Sequence, residues 1–157
     1  MIAINRSSNS KSFAQLTITG AFPFRIKDMP IPTCKTGFVY FLISIKTPEA
    51  TYIGETRCLK TRLSQHNSGS GSIFTAKHRP YAVIAYICGF CGNKPLRRYV
   101  EEHWKIKRDQ LKKNGNMSQY DWALQGQAVI NEIDSGFSFR EYHNQLKLVL
   151  LCNNEQH

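Results

Sequence analysis

Carboxylates are scarce in the central part of this chain, and that scarcity narrows the chemistry it can carry. Between Pro30 and Val100 the only acids are Glu49, in a turn, and Glu55. Hydrolysis of a phosphodiester requires a deprotonated water, neutralised charge on the phosphate oxygens and a stabilised leaving oxygen. Sites that use two cations bridge them with several carboxylates, which this stretch lacks. A single cation anchored by one carboxylate fits the inventory better. Glu101 is the best candidate, in the first turns of a long helical pattern and beside the apolar face marked by Val100. The charge balance fits an anionic substrate. Twenty-one Lys and Arg against 11 Asp and Glu give a formal charge of +10, a field that concentrates polyanions. Nucleic acid leads among partners, against the blander alternative of a basic but unspecialised surface.

Other chemistries find less support. The five cysteines are Cys34, Cys58, Cys88, Cys91 and Cys152. An odd count without a secretory signal implies reduced thiols in an intracellular compartment, nucleus or cytoplasm, with an organelle left open. Cys88 and Cys91 form one C-x-x-C, whereas a zinc site needs four ligands, normally from two such pairs. No apolar run approaches the length of a membrane span, so no membrane partner is expected. Residues 1–27 carry Arg6, Lys11, Arg25 and Lys27, many serines and no acid, a composition of either a transit segment or a plain tail.

The elements that must position these groups follow from periodicity. Residues 1–30 read as a mobile arm, with Pro23, Pro30 and Pro32 favouring extended chain at its exit. Residues 37–45, GFVYFLISI, are apolar on both faces, as in a strand covered on both sides. The turn KTPEA leads to a second short strand at 51–54, and the two should pair as an antiparallel hairpin. Leu59 and Leu63 mark the buried stripe of a helix over 57–67, with Arg62 and His66 on a neighbouring stripe. The Gly/Ser stretch 67–72 reads as a flexible loop, residues 77–80 as a basic corner and 81–87 as a third strand. A long helix runs from Pro95 to about Lys113, and another spans 120–133. The tail 137–151 is apolar and reads equally as helix or strand. The fold expected is α/β (α+β): a small three-stranded mixed or antiparallel sheet flanked by helices, in the order β-β-α-β-α-α.

Phe38-Val39-Tyr40, followed after eleven residues by Tyr52-Ile53-Gly54, resembles the paired signature of the GIY-YIG nuclease family. The string LKTRLSQHNSG, holding Arg62 and His66, resembles the family's second motif, and Glu101 in YVEEHW matches its metal-binding glutamate. Each element alone is weak; four in order at suitable spacing are specific. The resemblance runs from about Gly37 to Lys113. It implies a nuclease domain over 34–134, the arm before it, and a C-terminal extension over 135–157 packing on it. KHRPYAVIAYICGF is most similar to the nuclease domain of Slx-type structure-specific endonuclease subunits, which implies DNA repair or recombination and a partner subunit. The cysteine-rich zinc module usual in those subunits is not found in these residues. The first motif departs from the family pattern: Phe-Val-Tyr stands for Gly-Ile-Tyr, with Gly37 one place early.

Carried over residue by residue, the resemblance implies that Tyr40 acts as, or assists, the general base, which requires its phenol to titrate below the usual value near 10. It implies that Tyr52 hydrogen-bonds the phosphate or the water. Arg62 would grip the phosphate. His66 would orient the water or donate to a phosphate, and Glu101 would hold Mg²⁺ or Mn²⁺ with waters completing the shell. Glu102 lies about 100° further round the helix, so only one of the two can face the site. Asn114 or Asn116 would stand for an asparagine common after the glutamate helix. Lys60, Lys77, His78 and Arg79 would track the DNA backbone. The rival readings are a non-catalytic nucleic-acid-binding module on the same scaffold, a mobile-element or restriction nuclease, and a basic structural protein.

Overall fold

The computed structural model describes residues 29–135, 139–142 and 144–151. Most of the arm expected over 1–30, and parts of the extension expected over 135–157, lie outside the described residues. Strand β1 (Phe38–Ser44) is buried at every position. An alternation of polar and apolar residues would leave one face to water; FVYFLIS has none, and both faces are covered. A turn follows in which Ala50 N–H donates to the Thr47 carbonyl at 2.8 Å. Strand β2 (Thr51–Thr56) returns antiparallel, two residues longer than the sequence pattern required. The register sets Tyr40 opposite Gly54 and Leu42 opposite Tyr52.

Helix α1 (Leu59–Ser68) buries Leu59, Leu63 and His66. It stops at Gly69, whose φ of 90° is left-handed and whose N–H returns to the His66 carbonyl at 3.3 Å. The stretch expected as a flexible Gly/Ser loop is short and held. Ser72 opens a second helix, α2 (Ile73–His78), with a capping box: its hydroxyl accepts from Thr75 N–H and Thr75 Oγ1 accepts from Ser72 N–H. The basic corner is the end of that helix, followed by a cis Arg79–Pro80 bond. Strand β3 (Tyr81–Cys88) pairs antiparallel with β1.

Helix α3 (Lys94–Lys113) starts at Asn93, whose side chain accepts from Leu96 N–H at 3.0 Å, with Pro95 in the first turn where its missing N–H costs nothing. Lys112 and Lys113 sit at the negative end of its dipole. Helix α4 (Gln119–Ser135) and a short 3₁₀ turn (Arg140–Tyr142) follow. The ambiguous tail is then resolved: strand β4 (Lys147–Leu150) pairs antiparallel with β3, so the sheet has four strands, in the order β2-β1-β3-β4, rather than three. Isolated from its partner, a four-residue apolar segment carries no period that separates helix from strand; pairing with β3 decides it. Among the described residues no helix is long and apolar enough to cross a membrane.

Two tryptophans weld the helices to the sheet. Trp104 of α3 packs against Phe41 of β1 with ring centroids 5.6 Å apart, and its indole N–H donates to the Trp122 carbonyl of α4 at 3.1 Å. Gly126 leaves the room this requires, since a Cβ there would lie 3.0 Å from the Trp104 ring. Both indoles are fully buried. Trp104→Ala is expected to cost about 3–5 kcal/mol in urea denaturation; a loss below about 1 kcal/mol would mean that α3 is held elsewhere.

Candidate active site

Tyr40 leaves the middle of the central strand, where only a glycine can stand opposite it. A Cβ at Gly54 would fall 2.6 Å from the Tyr40 hydroxyl and 2.8 Å from the Tyr52 ring. The glycine of Tyr52-Ile53-Gly54 is therefore required by space and not by backbone conformation. The two phenol rings lie 6.2 Å apart, and His66 completes the group at 5.7 Å from Tyr40 and 5.0 Å from Tyr52. The Tyr40 hydroxyl and His66 Nε2 are 2.8 Å apart in a buried hydrogen bond. His66 Nδ1 meets Thr75 Oγ1 at 2.9 Å. Thr75 Oγ1 has one proton and the Ser72 carbonyl to receive it at 3.1 Å. That leaves Nδ1–H to donate to Thr75 and Nε2 to accept from Tyr40. Both ring nitrogens are thus engaged within the protein, and neither is turned to a phosphate.

Arg62, one turn before His66, donates to Gln65 Oε1 at 2.8 Å and lies close enough to both phenols to interact electrostatically with them. Burial works against its charge, but the interactions with Tyr40 and Tyr52 outweigh it, and its pKa is raised. Burial drives the Tyr40 phenol well above its ordinary value; Arg62 pulls the other way without prevailing, and the Tyr52 and Glu101 charges add to the rise. A general base would need a lowered phenol, and Arg62 supplies only part of that. Burial, then the Arg62 charge, lower His66 to about 4. At neutral pH Tyr40 is a neutral phenol and His66 a neutral imidazole, beside the Arg62 guanidinium.

Glu101 is close enough for its charge to act on Tyr40, across from the hairpin on α3. Its carboxylate is half-buried and paired with Lys105 Nζ at 2.8 Å, whereas Glu102 is exposed. Among the described residues no three His, Cys, Asp or Glu side chains converge as a metal cage. A lone carboxylate beside phenolic oxygens is a donor set of hard oxygens. It suits Mg²⁺ or Mn²⁺, which keep most of their waters and share a substrate phosphate, and does not suit zinc.

The remaining expected residues lie outside this cluster. Lys60 lines a groove of about 430 Å³ beside α1, with Met29, Ile31 and Leu63. Lys77 and Arg79 are exposed at the end of α2, and the His78 carbonyl accepts from Ser44 Oγ at 2.6 Å. Asn114 caps α3. Asn116 is used in joining helices: its side chain meets Asp121 Oδ2 at 3.1 Å and accepts from Ser118 N–H at 2.8 Å. Two residues of the cluster escaped the sequence reading. Thr75 orients His66, and Tyr81 of β3 lies 6.3 Å from His66 with its phenol pushed up to about 12, by burial first and then by Tyr52. The Ser72-x-x-Thr75 spacing is a helix-start signal that would have placed Thr75; Tyr81 carries no signal beyond strand propensity.

Two outcomes follow from the packing. Gly54→Ala is expected to lose about 1–3 kcal/mol of stability by overpacking, read by urea unfolding; no loss would mean the phenols are free to move aside. His66 binds its proton in the unfolded chain near pH 6.5 and in the fold only near 4. The unfolded state therefore takes up more protons in that window, and stability falls as pH drops through it, by on the order of 3 kcal/mol. His66→Gln should flatten this part of the pH–stability curve, and an unchanged slope would remove His66 as its source.

Residues 36–114 match the GIY-YIG catalytic domain, half of the 157-residue chain. No curated protein matches the chain. The matched span holds Tyr40, Tyr52, Gly54, Arg62, His66 and Glu101 together, and the chain belongs to the GIY-YIG family of endonucleases.

Proposed function

We propose that the protein hydrolyses DNA phosphodiester bonds with one divalent cation, Mg²⁺ or Mn²⁺, held by Glu101. The observation that carries this reading is the meeting of Tyr40, Tyr52, Arg62 and His66 in one hydrogen-bonded cluster within reach of the Glu101 charge. Bound there, the cation would acidify a water and draw charge from the phosphate. Tyr40 would sit beside the attacking water and assist its deprotonation, its own hydroxyl held in place by the hydrogen bond to His66 Nε2. Thr75 holds the imidazole in the tautomer that can accept. Arg62 and Tyr52 would bind the phosphate and steady the charge that grows on it. Lys60, Lys77, His78 and Arg79 would hold the DNA backbone.

The string KHRPYAVIAYICGF supports a branched or flapped DNA substrate, a role in repair or recombination, and a partner subunit. The resemblance as a whole implies a domain bounded near 34 and 134, with 135–157 as an extension packed on it. The second reading is a binding module without catalysis, and the observation on its side is the Glu101–Lys105 ion pair, which occupies the carboxylate.

Cleavage of labelled junctions, flaps and plain duplex, with Mg²⁺ and with EDTA, separates the two. Glu101→Gln should reduce cutting by at least about a hundredfold, the scale of losing one transition-state electrostatic partner, while binding DNA as the wild type does. Cutting at the wild-type rate by that variant with added metal would show that another group holds the cation. Metal-independent absence of cutting on every substrate would favour the binding module.

A further inference from the structure

Glu101 can serve the cluster only if α3 sits at one height and one rotation against β2, and two arginines of α3 set both. Arg97, Glu101, Lys105 and Arg108 recur at intervals of four, four and three, one ridge along the helix. Arg97 Nε donates to Glu55 Oε1 at 2.8 Å, and Arg108 Nη1 donates to Thr51 Oγ1 at 3.3 Å. Glu55 and Thr51 are near the two ends of β2, with Tyr52 and Gly54 between them. Eleven helical residues span about 16 Å, and four strand residues about 13 Å. The helix is therefore tied at two separated points, running opposite to the strand, and Glu101 falls between the ties.

Stability is a poor explanation for the inner tie. The Arg97 side chain is 3% exposed, Glu55 20% exposed, and Arg97 Nη1 is buried with no hydrogen-bond partner. A buried ion pair with an unsatisfied donor gains little over two apolar side chains of the same size, and its defensible use is to select one geometry. The chain also makes room for it. Gly37, in left-handed conformation at φ 104°, would place a Cβ 2.8 Å from Arg97 Nη1 and 2.9 Å from its Cδ. The glycine that stands one place early in the first motif is thus the seat of the Arg97 guanidinium.

We infer that Arg97 and Arg108 are positioning residues that clamp α3 to β2 and fix the distance from Glu101 to the two phenols. The inference rests on Glu101 as the cation's ligand. Its test pairs Arg97→Met with Glu55→Met, which removes the ion pair while keeping bulk, and uses Thr51→Val, which keeps the shape of a buried side chain, as a milder lesion of the outer tie. Each is compared with wild type by thermal unfolding, by Mn²⁺ binding without DNA in electron paramagnetic resonance titration, and by cleavage kinetics.

The clamp requires the double variant to melt within a few degrees of wild type, bind Mn²⁺ at least about fivefold more weakly, and lose at least about tenfold in kcat with KM for DNA unchanged. Thr51→Val should move the same way by about two- to threefold, and Arg97→Lys, which keeps the charge, should fall between wild type and the double variant. A folded double variant, or Thr51→Val should the double variant not fold, with wild-type Mn²⁺ affinity and kcat overturns the clamp alone. A wild-type chain that neither binds Mn²⁺ nor cuts overturns the nuclease reading, and the clamp with it.

Discussion

The structure turns on a single crowded contact, the Tyr40 hydroxyl lying over Gly54. Register puts those residues opposite each other, and no side chain at 54 would leave the phenol its place. Once the phenol lies there, its hydroxyl meets His66 Nε2 at 2.8 Å. That bond fixes the face α1 presents to the sheet, and the same turn of helix delivers Arg62 to both phenols. The rest of the cluster is a consequence of how little room the strand pair leaves.

Close packing has an electrostatic result. Burial disfavours charge on Tyr40 and His66, and both are driven toward their neutral forms. Arg62 keeps its charge because the phenols offset its burial. In the pairing of Tyr40 with His66 the phenol keeps its proton and Nε2 accepts it as a hydrogen bond. The carboxylate stands on a separate helix, partly buried and matched by Lys105.

Much of this was legible in the residues. A doubly apolar strand, the β-hairpin, the helix punctuated by Leu59 and Leu63, and the Pro95 start of α3 are local patterns, and local physics sets them. The tie between Arg97 and Glu55 spans 42 positions, and nothing in the spacing of either residue announces it. Tyr81 was hidden for the same reason: only the fold brings β3 beside His66. Ser72 was read as loop because Gly69, Ser70 and Gly71 surround it, although the cap it makes with Thr75 is among the plainer helix starts. The fourth strand was hidden because its identity lies in the edge of β3 that it covers.

That fourth strand separates two meanings of a domain. The family match ends at residue 114, yet Trp104 inside it is roofed by α4, and β3 inside it is hemmed by β4. A polypeptide cut at that boundary would bare an indole and a row of unpaired strand amides, the ingredients of edge-to-edge aggregation. The stretch that carries the chemistry and the stretch that can stand alone in water are therefore different lengths of the same chain. Engineering the former out of the latter would require a new cover for that side of the sheet.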